Sequence, residues 1–169
     1  MKKFIFLIFC VYFGHAVAEQ CKLENAVYLL NSDTSFSAGF EPSGQTSGGP
    51  LLYISSEKTG REYWFALTIG NGMSHTLLTP INKPNKKQEI KKTQKGANTP
   101  ALYFYTINNK NTVDSLPPED HATAPQNIFI PSLGPSLFYF SSSFTDTYDV
   151  GDKREQMPLG IFSLSECKK

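Results

Sequence analysis

The stretch REYWFALTIGNGMSHTLLTP, residues 61–80, decides the fold class. From Glu62 to Ile69 the side chains alternate, with Tyr63, Phe65, Leu67 and Ile69 on one face and Glu62, Trp64, Ala66 and Thr68 on the other. A period of two belongs to a β-strand that turns one face to a core. Gly70-Asn71-Gly72 follows, and Asn-Gly accepts the positive φ of a tight hairpin turn. Extended residues resume at Ser74–Thr79. The stretch therefore reads as a β-hairpin in an antiparallel sheet, where only one face needs full burial.

The same residues raise two chemical alternatives, and both fail on context. A phosphate-binding glycine loop must open a helix, whose first N–H groups hold the anion. Here a strand-like segment follows the glycines. Ser74 beside His75 resembles a nucleophile and its base. Adjacent residues on a strand, however, point to opposite faces and cannot form the required hydrogen bond. The chain has no Gly-x-Ser-x-Gly elbow.

Outward from the hairpin the pattern repeats. Thirteen Phe, eight Tyr and eleven Pro suit strands and turns better than helices. Strands are expected at Ala26–Leu30, Leu51–Ser56, Glu62–Ile69, Ser74–Thr79, Leu102–Ile107, Asn127–Ile130, Leu137–Ser142 and Gly160–Leu164. About eight short strands between Gly, Pro and Asn clusters predict an all-β fold with little helix, an antiparallel β-sandwich or partly open barrel. Residues 85–95 contain helix formers, but Ile90 is their only large apolar side chain, so a mobile loop is expected there.

The N-terminus has a different character. Lys2 and Lys3 precede the apolar run Phe4–Phe13, and small residues stand at Ala16 and Ala18. This is the pattern of a signal peptide cut after Ala18. The apolar run is short against the ~20 residues that span a bilayer. Residues 1–18 are read as a cleaved signal and 19–169 as a single β domain, soluble and exported to the periplasm or outside the cell.

Cleavage would remove Cys10 and leave Cys21 and Cys167 near the two ends. An oxidising compartment and an even cysteine count predict a Cys21–Cys167 disulfide. On the chain-entropy model a bridge closing so long a loop stabilises by about 5 kcal/mol at most.

The formal net charge is +1, and losing Lys2 and Lys3 leaves the product close to neutral. Nucleic acid is therefore not an expected partner. Charge is segregated along the chain. Residues 83–96 carry six lysines against Glu89, and residues 114–155 carry seven carboxylates against Lys153 and Arg154.

Candidate chemistry lies in the loops. Pro117-Pro118-Glu119-Asp120-His121 sets two carboxylates beside an imidazole, the arrangement a small periplasmic hydrolase would use. Asp146, Asp149 and Asp152 are spaced by three, which does not match the alternating ligands of an EF-hand calcium loop. No cofactor and no metal are expected. The loop PSGQTSGGP, residues 42–50, is slim and restrained by prolines at both ends. Ser43, Gly44, Thr46, Ser47, Gly48 and Gly49, with His121, are the candidate partner-binding residues. Loops on a rigid scaffold are where binding residues concentrate.

The leading expectation is a non-enzymatic protein-binding module. An inhibitor or immunity protein against a cell-envelope, peptidoglycan-acting enzyme or toxin is of this general kind. Its partner is another protein, with no nucleic acid and, after signal cleavage, no membrane. Two alternatives compete with it: the hydrolase built on His121 with Glu119 or Asp120, and a carbohydrate or small-ligand carrier using exposed aromatics such as Trp64.

Overall fold

The computed structural model describes residues 21–43, 49–70, 75–84, 101–108, 110–115, 118–144 and 154–168. In chain order the elements are β1 (Ala26–Leu30), β2 (Phe36–Glu41), β3 (Leu51–Ser56), β4 (Arg61–Ile69), β5 (Thr76–Ile81), β6 (Leu102–Ile107), β7 (Val113–Asp114), β8 (Asn127–Phe129), the helix α1 (Leu133–Tyr139) and β9 (Ile161–Cys167). Short 3-10 turns at Leu23–Asn25 and Ser141–Ser143 precede β1 and follow α1.

The strands form an up-and-down meander that closes on itself. Each of β1 to β6 pairs antiparallel with the next, β6 pairs with β8, β8 with β9, and β9 returns to β1. The result is an eight-stranded closed barrel, the closed form of the expected barrel. β7 is a ninth, extra strand beside β6. Closure removes the unpaired sheet edges that would otherwise recruit other chains. The seam between β5 and β6 is three residue pairs long, Thr76↔Phe104, Leu77↔Tyr103 and Leu78↔Leu102.

The hairpin of residues 61–80 is present. β4 and β5 pair from Trp64↔Ile81 to Ile69↔Thr76, and the Gly70 N–H donates to the His75 carbonyl at 2.9 Å. Residues 71–74, including Ser74, lie outside the described residues. Alternation on β4 holds at Tyr63 and Phe65, which are buried in the barrel, and fails by Ile69, which is 61 % exposed. Tyr63 and Phe65 meet Ile54 and Leu52 across β3 and join Tyr28, Phe36, Phe40, Phe104, Ile128 and Phe162 in one core cluster. The interior is thus filled by side chains. Aromatic edges meet there, with Phe40 at 6.0 Å from Tyr28 and 6.2 Å from Phe104 between ring centroids. The Tyr28 hydroxyl donates to the Pro125 carbonyl at 3.0 Å, and burial raises its pKa.

Three sequence expectations need correction. Leu137–Ser142 is not a strand. Residues 133–139 form α1 and residues 141–143 a 3-10 turn. Leu133 and Leu137, four apart, sit on one helical face and are buried in the core. Pro135 lies in the first turn, where its missing N–H breaks no helical bond. The aromatic run Phe138-Tyr139-Phe140 imitates a strand in composition only. The second correction is β2, FSAGFE, which the small residues hide. A Cβ on Gly39 would lie 2.3 Å from the Tyr53 hydroxyl oxygen, so Gly39 gives Tyr53 room to lie across β2. The third concerns Trp64, which is 5 % exposed. It packs with Leu51 and Ile81 in a second cluster flanked by Tyr53 and Ala66, on the face of β4 opposite Tyr63 and Phe65.

α1 and residues 155–160 lie between β8 and β9 and cap one end of the barrel. Glu155, 1 % exposed, ties this connection to the β3–β4 hairpin. Its Oε1 accepts from Ser56 at 2.9 Å, and its Oε2 accepts from Thr59 at 2.6 Å and from Tyr63 at 2.8 Å. Burial, reinforced by the bond donated to Glu155, pushes the Tyr63 hydroxyl pKa up.

Candidate binding rim at the stapled end

In a meander, successive connections alternate between the two barrel ends. The described ends of the β2–β3, β4–β5 and β6–β8 connections therefore lie at one end, together with the approach to β1 and the last residues of β9. Cys21 and Cys167 are disulfide-bonded there, with Cα atoms 5.7 Å apart. Backbone hydrogen bonds stitch the rim. Leu23 N–H donates to the Ala122 carbonyl at 2.9 Å, Ala124 N–H to Cys21 at 2.8 Å, and Lys168 N–H to Asn25 at 2.8 Å. The bridge pair Lys22↔Thr123 lies within the same seam.

This geometry brings together the two loops singled out in the sequence. A Cβ on Gly49 would stand 3.7 Å from the Pro118 carbonyl oxygen, so the end of loop 42–50 touches the start of the 118–122 turn. Ser43 and Gly49 are described, both partly buried. Gly44, Thr46, Ser47 and Gly48 lie outside the described residues, as do Asp146, Asp149 and Asp152.

His121 is held in an uncommon conformation. Its φ is 61°, the left-handed region that favours glycine. The turn is closed by Ala122 N–H donating to the Glu119 carbonyl at 3.2 Å. The ring is 64 % exposed, and its Nδ1 lies 2.7 Å from Glu24 Oε1. That hydrogen bond is the main reason the Glu24 carboxyl is held below the usual carboxylate range. The imidazole is therefore partnered by Glu24, not by its neighbours Glu119 or Asp120. Sequence reasoning missed Glu24 because 97 residues separate the pair and nothing local marks it. Glu24 Oε2 and Asp120 Oδ1 are shielded from solvent and have no hydrogen-bond partner among the described residues.

His75 sits on the outer wall, with its ring centroid 6.0 Å from Tyr103 and 6.4 Å from Tyr105. The neighbouring Thr76 hydroxyl and N–H both donate to the Ser115 carbonyl, at 2.6 and 2.8 Å, fixing the segment after β7 against β5. Among the described residues no group of three or more His, Cys, Asp or Glu side chains is placed to hold a metal ion. Among the described residues no helix is long and apolar enough to cross a membrane.

Fold and rim define a class: a closed, side-chain-filled β-barrel with a disulfide joining the segment before β1 to the end of β9. Compared with known proteins, the chain matches no protein-family model, no curated protein and no solved structure.

Proposed function

We propose that this chain is an exported, non-enzymatic protein-binding module that meets its partner with the stapled rim. The partner is a cell-envelope enzyme or toxin acting on peptidoglycan, and the chain is its inhibitor or immunity protein. The observation that carries this reading is the approach of Gly49 to Pro118, at the barrel end that also holds the disulfide. Gly49 and Pro118, far apart in sequence, stand side by side, and fixing such neighbours in advance reduces the ordering entropy lost on binding. The filled interior argues for a surface function over a carrier that encloses its ligand. The Cys21–Cys167 bridge suits an oxidising compartment.

The test is inhibition of purified peptidoglycan hydrolases by the purified chain, with binding followed by calorimetry. Gly49→Trp and His121→Asp should weaken inhibition by about tenfold or more, the scale of a central contact. Lys58→Ala, at the opposite end of the barrel, should leave it unchanged. Turnover of peptidoglycan by the chain alone, abolished in His121→Ala, would establish the hydrolase instead. Equal inhibition by all rim variants would remove the rim from the reading.

A further inference from the structure

The capped end of the barrel carries a second feature, independent of the rim. Between α1 and the strap that leads into β9 lies a cleft of about 460 Å³. Its walls include Pro135, Phe138, Tyr139, Met157, Pro158 and Leu159. The volume is that of a small-molecule site. Tyr139 is 71 % and Leu159 66 % exposed, so large apolar groups stand open to water at its mouth. The cleft owes its shape to Gly134, where a Cβ would lie 2.2 Å from the Met157 carbonyl oxygen. Only a glycine lets helix and strap approach so closely.

A cation stands at the edge of this site, reached through Phe138, which lines the cleft. The Arg154 guanidinium lies 5.2 Å from the centroid of the Phe138 ring. Among the described residues no carboxylate is paired with it. A guanidinium stacked on an aromatic face keeps its N–H fork free at the edge, in the plane that grips a carboxylate with two bonds. Glu155 also borders the cleft, but its oxygens are turned to Ser56, Thr59 and Tyr63 on the barrel side.

We propose that this cleft binds a small carboxylate with an apolar body, the body lying between Tyr139, Met157 and Leu159 and the carboxylate on Arg154. The apolar walls supply affinity, and Arg154 distinguishes the acid from its neutral analogue.

The experiment is a two-dimensional NMR titration of the full exported chain with 3-phenylpropanoate, with its primary amide, and with a short peptide ending in phenylalanine. The free acid should produce saturable shifts centred on the backbone amides of Phe138, Tyr139, Met157 and Leu159. The amide should bind about tenfold more weakly, the loss expected for one charge-assisted pair. Arg154→Gln should bring acid and amide to equal, weak affinity while leaving the rest of the spectrum in place. Absence of saturable shifts at these residues, equal binding of acid and amide by the unaltered chain, or an acid preference that survives in Arg154→Gln would overturn the proposal. Tighter binding of the peptide than of the free acid would overturn the small-molecule assignment.

Discussion

His121 Nδ1 lies 2.7 Å from Glu24 Oε1, joining the turn after Pro118 to the 3-10 turn that leads into β1. The bond lowers the Glu24 pKa. A carboxylate depressed in the folded state stabilises above its unfolded pKa, and that stabilisation is lost as pH falls through the folded value. His121→Asn retains a residue that tolerates positive φ while removing the imidazole. Glu24, followed by NMR titration, should then return toward the ordinary carboxylate range. Because the His121 ring is exposed to solvent, the change in stability should stay within about 1 kcal/mol.

Asp33, at the opposite end of the barrel, should set the acid limit of the β1–β2 turn. Its pKa falls from 3.8 to about 2, first through the hydrogen bond from Lys58 and then through that from Ser35. The sign matches that for Glu24: its contribution is complete above the ordinary value and disappears as pH drops through about 2. Urea midpoints measured across that acid window should fall with pH in the parent chain. In Asp33→Asn the fall should be shallower.

Reduction of Cys21–Cys167 should lower stability by about 2–5 kcal/mol, the usual loss for a native bridge in a small domain. Hydrogen exchange should quicken first at Leu23, Ala124 and Lys168, whose N–H groups bond across the same rim. Chemical denaturation of a Cys21→Ser/Cys167→Ser variant measures the loss. An unchanged midpoint would mean that the backbone stitches hold the rim alone.

Two glycine substitutions should separate rigid from yielding contacts. Gly134→Ala drives a methyl into the Met157 backbone carbonyl, which cannot swing aside. It should cost about 1–3 kcal/mol. Gly39→Ala meets the end of the Tyr53 side chain, which can rotate. Its cost should be smaller, with the effect read in the fluorescence of Trp64, whose ring centroid is 5.2 Å from that of Tyr53.

Burial of Glu155 against three hydroxyls makes it the anchor of the connection between β8 and β9. Glu155→Ala would leave the buried hydroxyls of Ser56 and Tyr63 without their acceptor. Each orphaned group costs about 1–3 kcal/mol. Thermal unfolding should show a larger loss for Glu155→Ala than for Ser56→Ala.

Local alternation made much of the barrel legible. β1, β3 and β6 have the expected bounds, and β4 and β5 shift by two residues or fewer at each end, because their apolar side chains alternate between turn residues. β2 was hidden because Ser37, Ala38 and Gly39 weaken a strand signal that Phe36 and Phe40 supply from inside the barrel. α1 reads as a strand in sequence because the aromatics Phe138, Tyr139 and Phe140 at its end dominate the local composition, while the burial that defines the helix comes from Leu133 and Leu137. Barrel closure depends on β9 returning to β1, a long-range pairing without a local mark. The rim was legible in part: Cys21, Cys167 and His121 could be nominated from chain position and residue type. The contacts of His121 with Glu24 and of Gly49 with Pro118 exist only once the ends of the meander meet.

The pairing of β1 with β9 bears on how the protein is made. The strand β1, Ala26–Leu30, is the first to be synthesised and β9 is the last, so β1 must wait for its second neighbour until nearly the whole chain has been made. Until then both edges of the growing sheet stay unpaired, and the nascent chain is open to aggregation. A chain ending before Ile161 would keep β1 and β8 as permanent open edges.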